Sequence, residues 1–162
     1  MGSKKVTQFN HACDNAPKDS VDGILEQIAN QCTYLVEEVL EMKEAALNKD
    51  FIKLADGHGD IKFVRDYLDD LVDAIGLKRS GIFKVVCENN MLKTTTSLEL
   101  AEKWKNEKDE DGVETYIAEV DFEGQTYYTV RRCDNNKVTK FRDFPEMDLT
   151  PFIPKELLNK EN

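Results

Sequence analysis

Positive charge is what this chain has least of. Its 162 residues hold 22 Lys and Arg against 32 Asp and Glu, a formal net charge of −10. Nucleic acid is held largely by Lys and Arg neutralising phosphates, so this balance argues against a nucleic-acid partner. It leaves nucleotides open, because a divalent ion can bridge carboxylates to phosphates. Long apolar runs are missing too. No stretch approaches the roughly 18 residues of a membrane span, and no signal-peptide apolar region is found. A cytoplasmic protein with no membrane partner is expected. The four cysteines, Cys13, Cys32, Cys87 and Cys133, are scattered with no CxxC pair. That pattern points to reduced cytosolic cysteines, with Cys32 on a core face, and away from a zinc site or disulfide frame. His11 and His58 are the two histidines. Neither sits in an ExxH pair, which argues against a di-iron bundle.

Hydrophobic content of 40% with 33% charged residues is globular, and 162 residues suffice for one domain with a real core. Apolar spacing predicts a short helix from Lys5 to Asp14 with Val6, Phe9 and Cys13 on one face. A long helix capped by Asp19 or Ser20 should run to about Asn48, and a third from about Phe51 to Ile75. Gly76 suits the helix end, a fourth helix spans Ile82 to about Met91, and Thr96 with Glu99 has capping-box spacing for a fifth through Lys105. Asn106 to Gly112 reads as a polar turn. The period then changes to two: Glu114–Phe122 and Gln125–Cys133 around Glu123-Gly124 predict a β-hairpin, with a third short strand at Lys137–Phe141. The tail from Pro145 to Pro154 should be extended, followed by a frayed end.

The chemistry concentrates in Glu37-Glu38-Val39-Leu40-Glu41-Met42-Lys43-Glu44. At about 100° per residue, Glu37, Glu38, Glu41 and Glu44 lie within one helical arc of roughly 120°. Ile28, Cys32, Leu35, Val36, Val39, Leu40, Ala46 and Leu47 are assigned to the opposite arc. No Lys or Arg occurs from Ile24 to Met42, and like charges one turn apart cost about 0.2–0.5 kcal/mol per pair. On the next helix Asp56 and Asp60 sit i,i+4 beside an apolar stripe of Val64, Leu68, Leu71 and Ile75. Asp66, Asp69 and Asp73 fall on the other side and read as solvent decoration, with Asp70 on the flank. Two antiparallel helices that bring such carboxylates together make a hard-oxygen site for Mg2+ or Mn2+. Gly57 and Gly59 weaken the helix there, by close backbone approach or by an irregular helix start.

In this order the motifs resemble the all-α nucleoside triphosphate pyrophosphohydrolases, the MazG-like superfamily. Its ExxE is similar to Glu38–Glu41, preceded by Glu37, and the last acid of its ExxD is Asp60. The first acid of that second pair falls on Gly57, with Asp56 as the substitute. Val85-Val86-Cys87-Glu88-Asn89-Asn90-Met91-Leu92-Lys93 is similar to the stretch ending NMxK, with Cys87 in place of the usual His. Asn136–Lys140 and Phe144–Leu149 resemble the closing segment of the phage-associated branch. The resemblance covers most of the chain in patches and implies a mainly α, MazG-like helical bundle with a C-terminal β-hairpin appendage. It implies one domain over 1–162, helical at 5–106, with hairpin and tail at 113–154.

The implied activity is hydrolysis of a (deoxy)nucleoside triphosphate to monophosphate and pyrophosphate with Mg2+ or Mn2+. Glu38, Glu41, Asp56 and Asp60 would hold metal, and Glu37 would orient or deprotonate water. Asn90 and Lys93 would contact the nucleotide, and Lys93 with Lys140 would stabilise phosphate charge. A homodimer or dimer of dimers is implied. Two other readings stay open: a phosphoribosyl-ATP pyrophosphohydrolase, and a noncatalytic acidic helical protein that uses its bundle for docking.

Overall fold

The computed structural model describes residues 4–158. It is mainly helical with one two-stranded sheet: α1 Lys4–Ala12, α2 Val21–Leu47, α3 Phe51–Ala74, α4 Arg79–Met91, α5 Leu98–Glu110, β1 Thr115–Phe122, β2 Gln125–Arg132 and α6 Lys155–Leu158. A 3-10 turn at Thr150–Phe152 interrupts the tail expected to be extended. Of the frayed end expected after Pro154, Lys155–Leu158 forms α6, and the rest lies outside the described residues. Two compact units are present, one through Arg79 together with Thr150 onward, the other Ser80–Leu149. No helix among the described residues is long and apolar enough to cross a membrane.

In the first unit α2 and α3 form the main helix pair. Ser20 caps α2 by accepting from the Gly23 amide at 3.1 Å, and Asp50 caps α3 by accepting from the Lys53 amide at 3.1 Å. Each satisfies an orphan donor of a helix start, an effect of about 1 kcal/mol. Between the helices Lys49 sits at φ 56°, and Gly76 ends α3 at φ 81°. A Cβ at Gly76 would also stand 2.9 Å from the Pro154 ring.

The core of this unit joins Val6, Ile24, Tyr67 and Leu71, with Ile28 and Ile75 packed against it. Leu71 is fully buried, which stabilises by about 1.5–3 kcal/mol. Of the predicted α3 stripe, Leu71 and Ile75 join this core together with Tyr67, while Val64 and Leu68 are half-buried outside it. Tyr67 satisfies its hydroxyl by donating to the Asn15 carbonyl and accepting from Gln27 Nε2 at 3.2 Å. Burial, reinforced by Asp70, pushes the Tyr67 hydroxyl above its ordinary pKa. On α1 the buried residues are Val6 and Asn10. Phe9 and Cys13, expected beside Val6, are exposed, and Phe9 meets Phe63 edge-to-face at 5.3 Å.

The two faces of α2 differ from the sequence expectation. Its inward line runs Ile24, Gln31 and Ala45, all buried, with Ile28, Leu35, Glu38 and Met42 half-buried along the same three-and-four spacing. Gln31 occupies the line because its Nε2 donates to the Val64 carbonyl at 3.0 Å. Glu38 thus lies at the packed seam. Cys32, Val36, Val39, Leu40, Ala46 and Leu47, assigned to the packed arc, are exposed. The α3 aspartates are also corrected. Asp66 is buried and binds Lys62 Nζ at 2.8 Å, while Arg79 pairs with Asp69 at 2.6 Å and Asp73 at 2.7 Å. Asp70 accepts from Thr7 at 2.7 Å. An arc chosen by composition misses a cation that reaches back from one turn away or from beyond the helix end.

The helix α4 begins at Arg79, three residues before the expected start, and the rest of it lies in the second unit. Ser97, not Thr96, caps α5 by accepting from the Leu100 amide at 3.2 Å. The helix continues through the expected polar turn to Glu110, supported by the i,i+4 pair Lys105–Asp109 at 2.6 Å. The hairpin pairs Phe122 with Gln125 across Glu123 (φ 49°) and Gly124 (φ 78°). Two positive φ values make a type I′ turn, whose twist matches that of the strands. Ala101, Trp104, Thr115 and Val130 are buried, and both strands pack on α5. The hairpin therefore belongs to one unit with α4 and α5 and does not stand apart from helices. The expected third strand reduces to a bridge between Arg131 and Val138, because Asn136 at φ 61° turns the chain just before it. Phe141 stacks on Trp104 at 4.7 Å and meets Phe144 at 5.2 Å.

Candidate functional site

Glu38 and Glu41 lie one turn apart on α2, and Asp56 and Asp60 one turn apart on α3. The helices are fixed against each other at Gly57. A Cβ built there would lie 3.1 Å from Met42 Cβ and 3.3 Å from Met42 Cα, so any side chain would require α2 or α3 to shift. Around Gly59 a Cβ would meet nothing within 4 Å. Close approach of the backbone accounts for Gly57 and does not account for Gly59. The Gly57 position faces the neighbouring helix.

Burial at the seam raises the Glu38 carboxyl above its ordinary pKa, and the charges of Asp60, Glu41, Glu37 and Asp56 raise it further. Glu38 thus stands in the field of the four acids around it. Desolvation and like charge both disfavour a carboxylate, and either a proton or a cation relieves them. A pocket of about 370 Å3 opens beside it, lined by Glu41, Glu44, Asp50, Asp56 and Asp60 together with Gly57 and a single cation, Lys53. The sequence did not single out Asp50 or Lys53 for this site. Asp50 enters through its place as the cap of α3, and Lys53 through its place in the first turn of that helix. Glu37 is exposed beside Glu38. Among the described residues, no group of three or more His, Cys, Asp or Glu stands close enough as placed to hold a metal ion. Glu37, Glu38, Glu41, Asp56 and Asp60 share a field, and Glu41, Asp56 and Asp60 also share the pocket, but there is no common coordination point among the described residues.

The other candidate residues belong to the second unit. Asn90, near the end of α4, donates from Nδ2 to the Val86 carbonyl at 2.9 Å and accepts from Lys93 Nζ. Lys93 Nζ lies 6.0 Å, and Lys140 Nζ 5.0 Å, from the centre of the Phe144 ring. Lys93 and Lys140 are therefore brought to one aromatic ring, and Asn90 is joined to Lys93 by its hydrogen bond. Trp104, buried against Phe141, is core. Comparison of the chain with protein-family models, curated proteins and solved structures returns no match.

Proposed function

We propose that this protein is a nucleoside triphosphate pyrophosphohydrolase of MazG-like type, with the α2–α3 carboxylates as its metal site. The observation that carries the reading is Glu38, whose proton affinity is raised by burial and by Asp60, Glu41, Glu37 and Asp56. The donors fit the group: all are hard oxygens, and Glu41, Asp56 and Asp60 are exposed on side chains that can change rotamer. Glu38, Glu41, Asp56 and Asp60 would hold Mg2+ or Mn2+. Such an ion, when bound, offsets phosphate charge and lowers the pKa of water. Glu37, one residue from Glu38 and exposed, would orient that water or take its proton. Asn90 would position the nucleotide, and Lys93 and Lys140 would stabilise charge on phosphate oxygens.

The exposed apolar side of α2 supports a homodimer. Val36, Val39, Leu40 and Leu47 are between 47% and 74% exposed, and Phe51 and Ile52 at the start of α3 reach 75% and 85%. Covering them would remove apolar surface from water at about 25 cal/mol per Å2. The same face, with no donors gathered for a metal, favours a second reading, a noncatalytic docking protein that tolerates carboxylate-to-amide changes.

The test is a panel of NTPs and dNTPs, with phosphoribosyl-ATP alongside, in Mg2+ or Mn2+ with products resolved. Monophosphate and pyrophosphate, abolished by chelation, are expected. Orthophosphate released first with accumulating diphosphate, or no turnover of any member, contradicts the reading.

A further inference from the structure

The second unit holds a pocket of about 440 Å3 lined by Lys93, Lys108, Arg132, Lys137 and Lys140, with Thr139 and no carboxylate. In a chain of net charge −10, five cations around one cavity run against the average. They come from three separate stretches: the turn after α4, α5, and the run from Arg132 at the end of β2 to Lys140, past the segment that bridges back to β2. Two are partly compensated, since Lys108 reaches Asp111 at 3.2 Å and Arg132 reaches Asp134 at 2.7 Å. Asp111 is itself shared with Arg142 at 3.1 Å. Lys93, Lys137 and Lys140 have no carboxylate within ion-pair distance among the described residues.

The cavity is held by backbone, not by long side chains alone. The Arg132 amide donates to the Lys137 carbonyl at 2.9 Å, and the Thr139 amide donates to the Val130 carbonyl at 2.8 Å. These bonds set Lys137 and Lys140 on a segment fixed to β2, whose Val130 is buried. Like-charged ammonium groups held near one another repel, and an anion that fits between them removes the cost. The size and the spread of the donors suit a chain of phosphates better than a single carboxylate.

We propose that this pocket binds a phosphate chain, that of a nucleoside triphosphate, and that the hairpin unit supplies Lys108, Arg132 and Lys137 to it. The inference rests on the nucleotide reading for the origin of the phosphates and extends it beyond Lys93 and Lys140. It gives the hairpin a role that a bare helical pair would lack.

Sodium tripolyphosphate titrated calorimetrically into the full chain, in chelator and at low salt, tests the pocket without catalysis. Lys137→Glu should weaken binding about tenfold or more, the loss of a charge-assisted contact. Lys137→Ala should weaken it less, with unchanged circular dichroism. Lys84→Glu, the same charge change at an exposed site of α4, should shift it less than about twofold. Orthophosphate should bind more weakly than tripolyphosphate. No tripolyphosphate binding by the unmodified chain, or equal weakening by Lys84→Glu and Lys137→Glu, overturns the proposal. Tripolyphosphate bound without any nucleotide turnover keeps the pocket and sinks the hydrolase. Turnover with tripolyphosphate binding unaffected by Lys137→Glu does the reverse.

Discussion

The α2–α3 pair and the hairpin unit each carry a pocket, of about 370 and 440 Å3, and the two linings are opposite in charge. Around the first, five acids face one lysine. Around the second, five cations line the cavity with no acid among them, although Lys108 and Arg132 are paired outside the lining. Total charge hides this sorting: the net −10 excludes a broad basic surface but says nothing about one cavity. A second contrast lies along the chain. The acids of the first pocket come from two stretches within about one helix length, so periodicity exposes them. The cations of the second come from three stretches, around Lys93, Lys108 and Arg132–Lys140, that meet only through folding.

The largest effect expected is on turnover. Asp60→Asn and Asp56→Asn should each lower it by about 10²–10³-fold, the scale of removing one preorganised charge from an active site. Neither should cost stability, since each removes a charge from a crowded cluster. Asp69 and Asp73 are unsuitable controls because Arg79 binds both. Arg79 also holds the Asp73 carboxyl below its usual range. Glu26→Gln, exposed on α2, serves instead and should leave turnover near wild type. An Asp56→Asn variant that matches Glu26→Gln would leave Asp60 alone on α3, with fewer ions than drawn.

Next in size is a pair of glycines two residues apart. Gly57→Ala pushes a methyl against Met42 and should destabilise by about 1–3 kcal/mol, reduced by the helix propensity gained. Gly59→Ala meets open space and should stabilise by about 0.5–1 kcal/mol. Denaturant titration reads both. The same sign for the two would mean that α2 and α3 are not held at Gly57.

A smaller effect is tied to pH. Protonation favours the native state when a carboxyl is raised by folding. Its stabilisation is fully present below the ordinary value and is lost as pH rises through the raised one. Glu38→Gln should therefore be more stable than wild type at pH 7 by a few tenths to about 1 kcal/mol, from several like-charge pairs. The gap should close as pH falls toward the ordinary carboxylate range. A gap that does not change between pH 7 and pH 4 would place Glu38 outside the acidic field.

Much of the frame was legible because it is written locally. Ser20 and Gly76 mark helix ends by side-chain or backbone chemistry that needs no partner, and Glu123-Gly124 marks the hairpin turn the same way. The α2 faces were not, because composition alone cannot tell which side meets α3. Gln31 earns a buried place only through the Val64 carbonyl, and Val36, Val39 and Leu40 lie outside within one chain. Asp66 looked like surface until Lys62 reached back over it. Of the candidate site, spacing brings out both acid pairs, whose charges act on Glu38, and Asn90 and Lys93, named only by the resemblance, are hydrogen-bonded to each other. Lys108, Arg132 and Lys137 were not legible, since nothing in their own neighbourhoods marks them.

The central claim is that the acids of α2 and α3 form one cation site, and titration of Mn2+ into the metal-free chain tests it most directly. Binding that weakens about tenfold or more in Asp60→Asn, and stays within about twofold in Glu26→Gln, is the expected result. Undetectable Mn2+ binding by the unmodified chain, or equal affinity in Asp60→Asn, would contradict it.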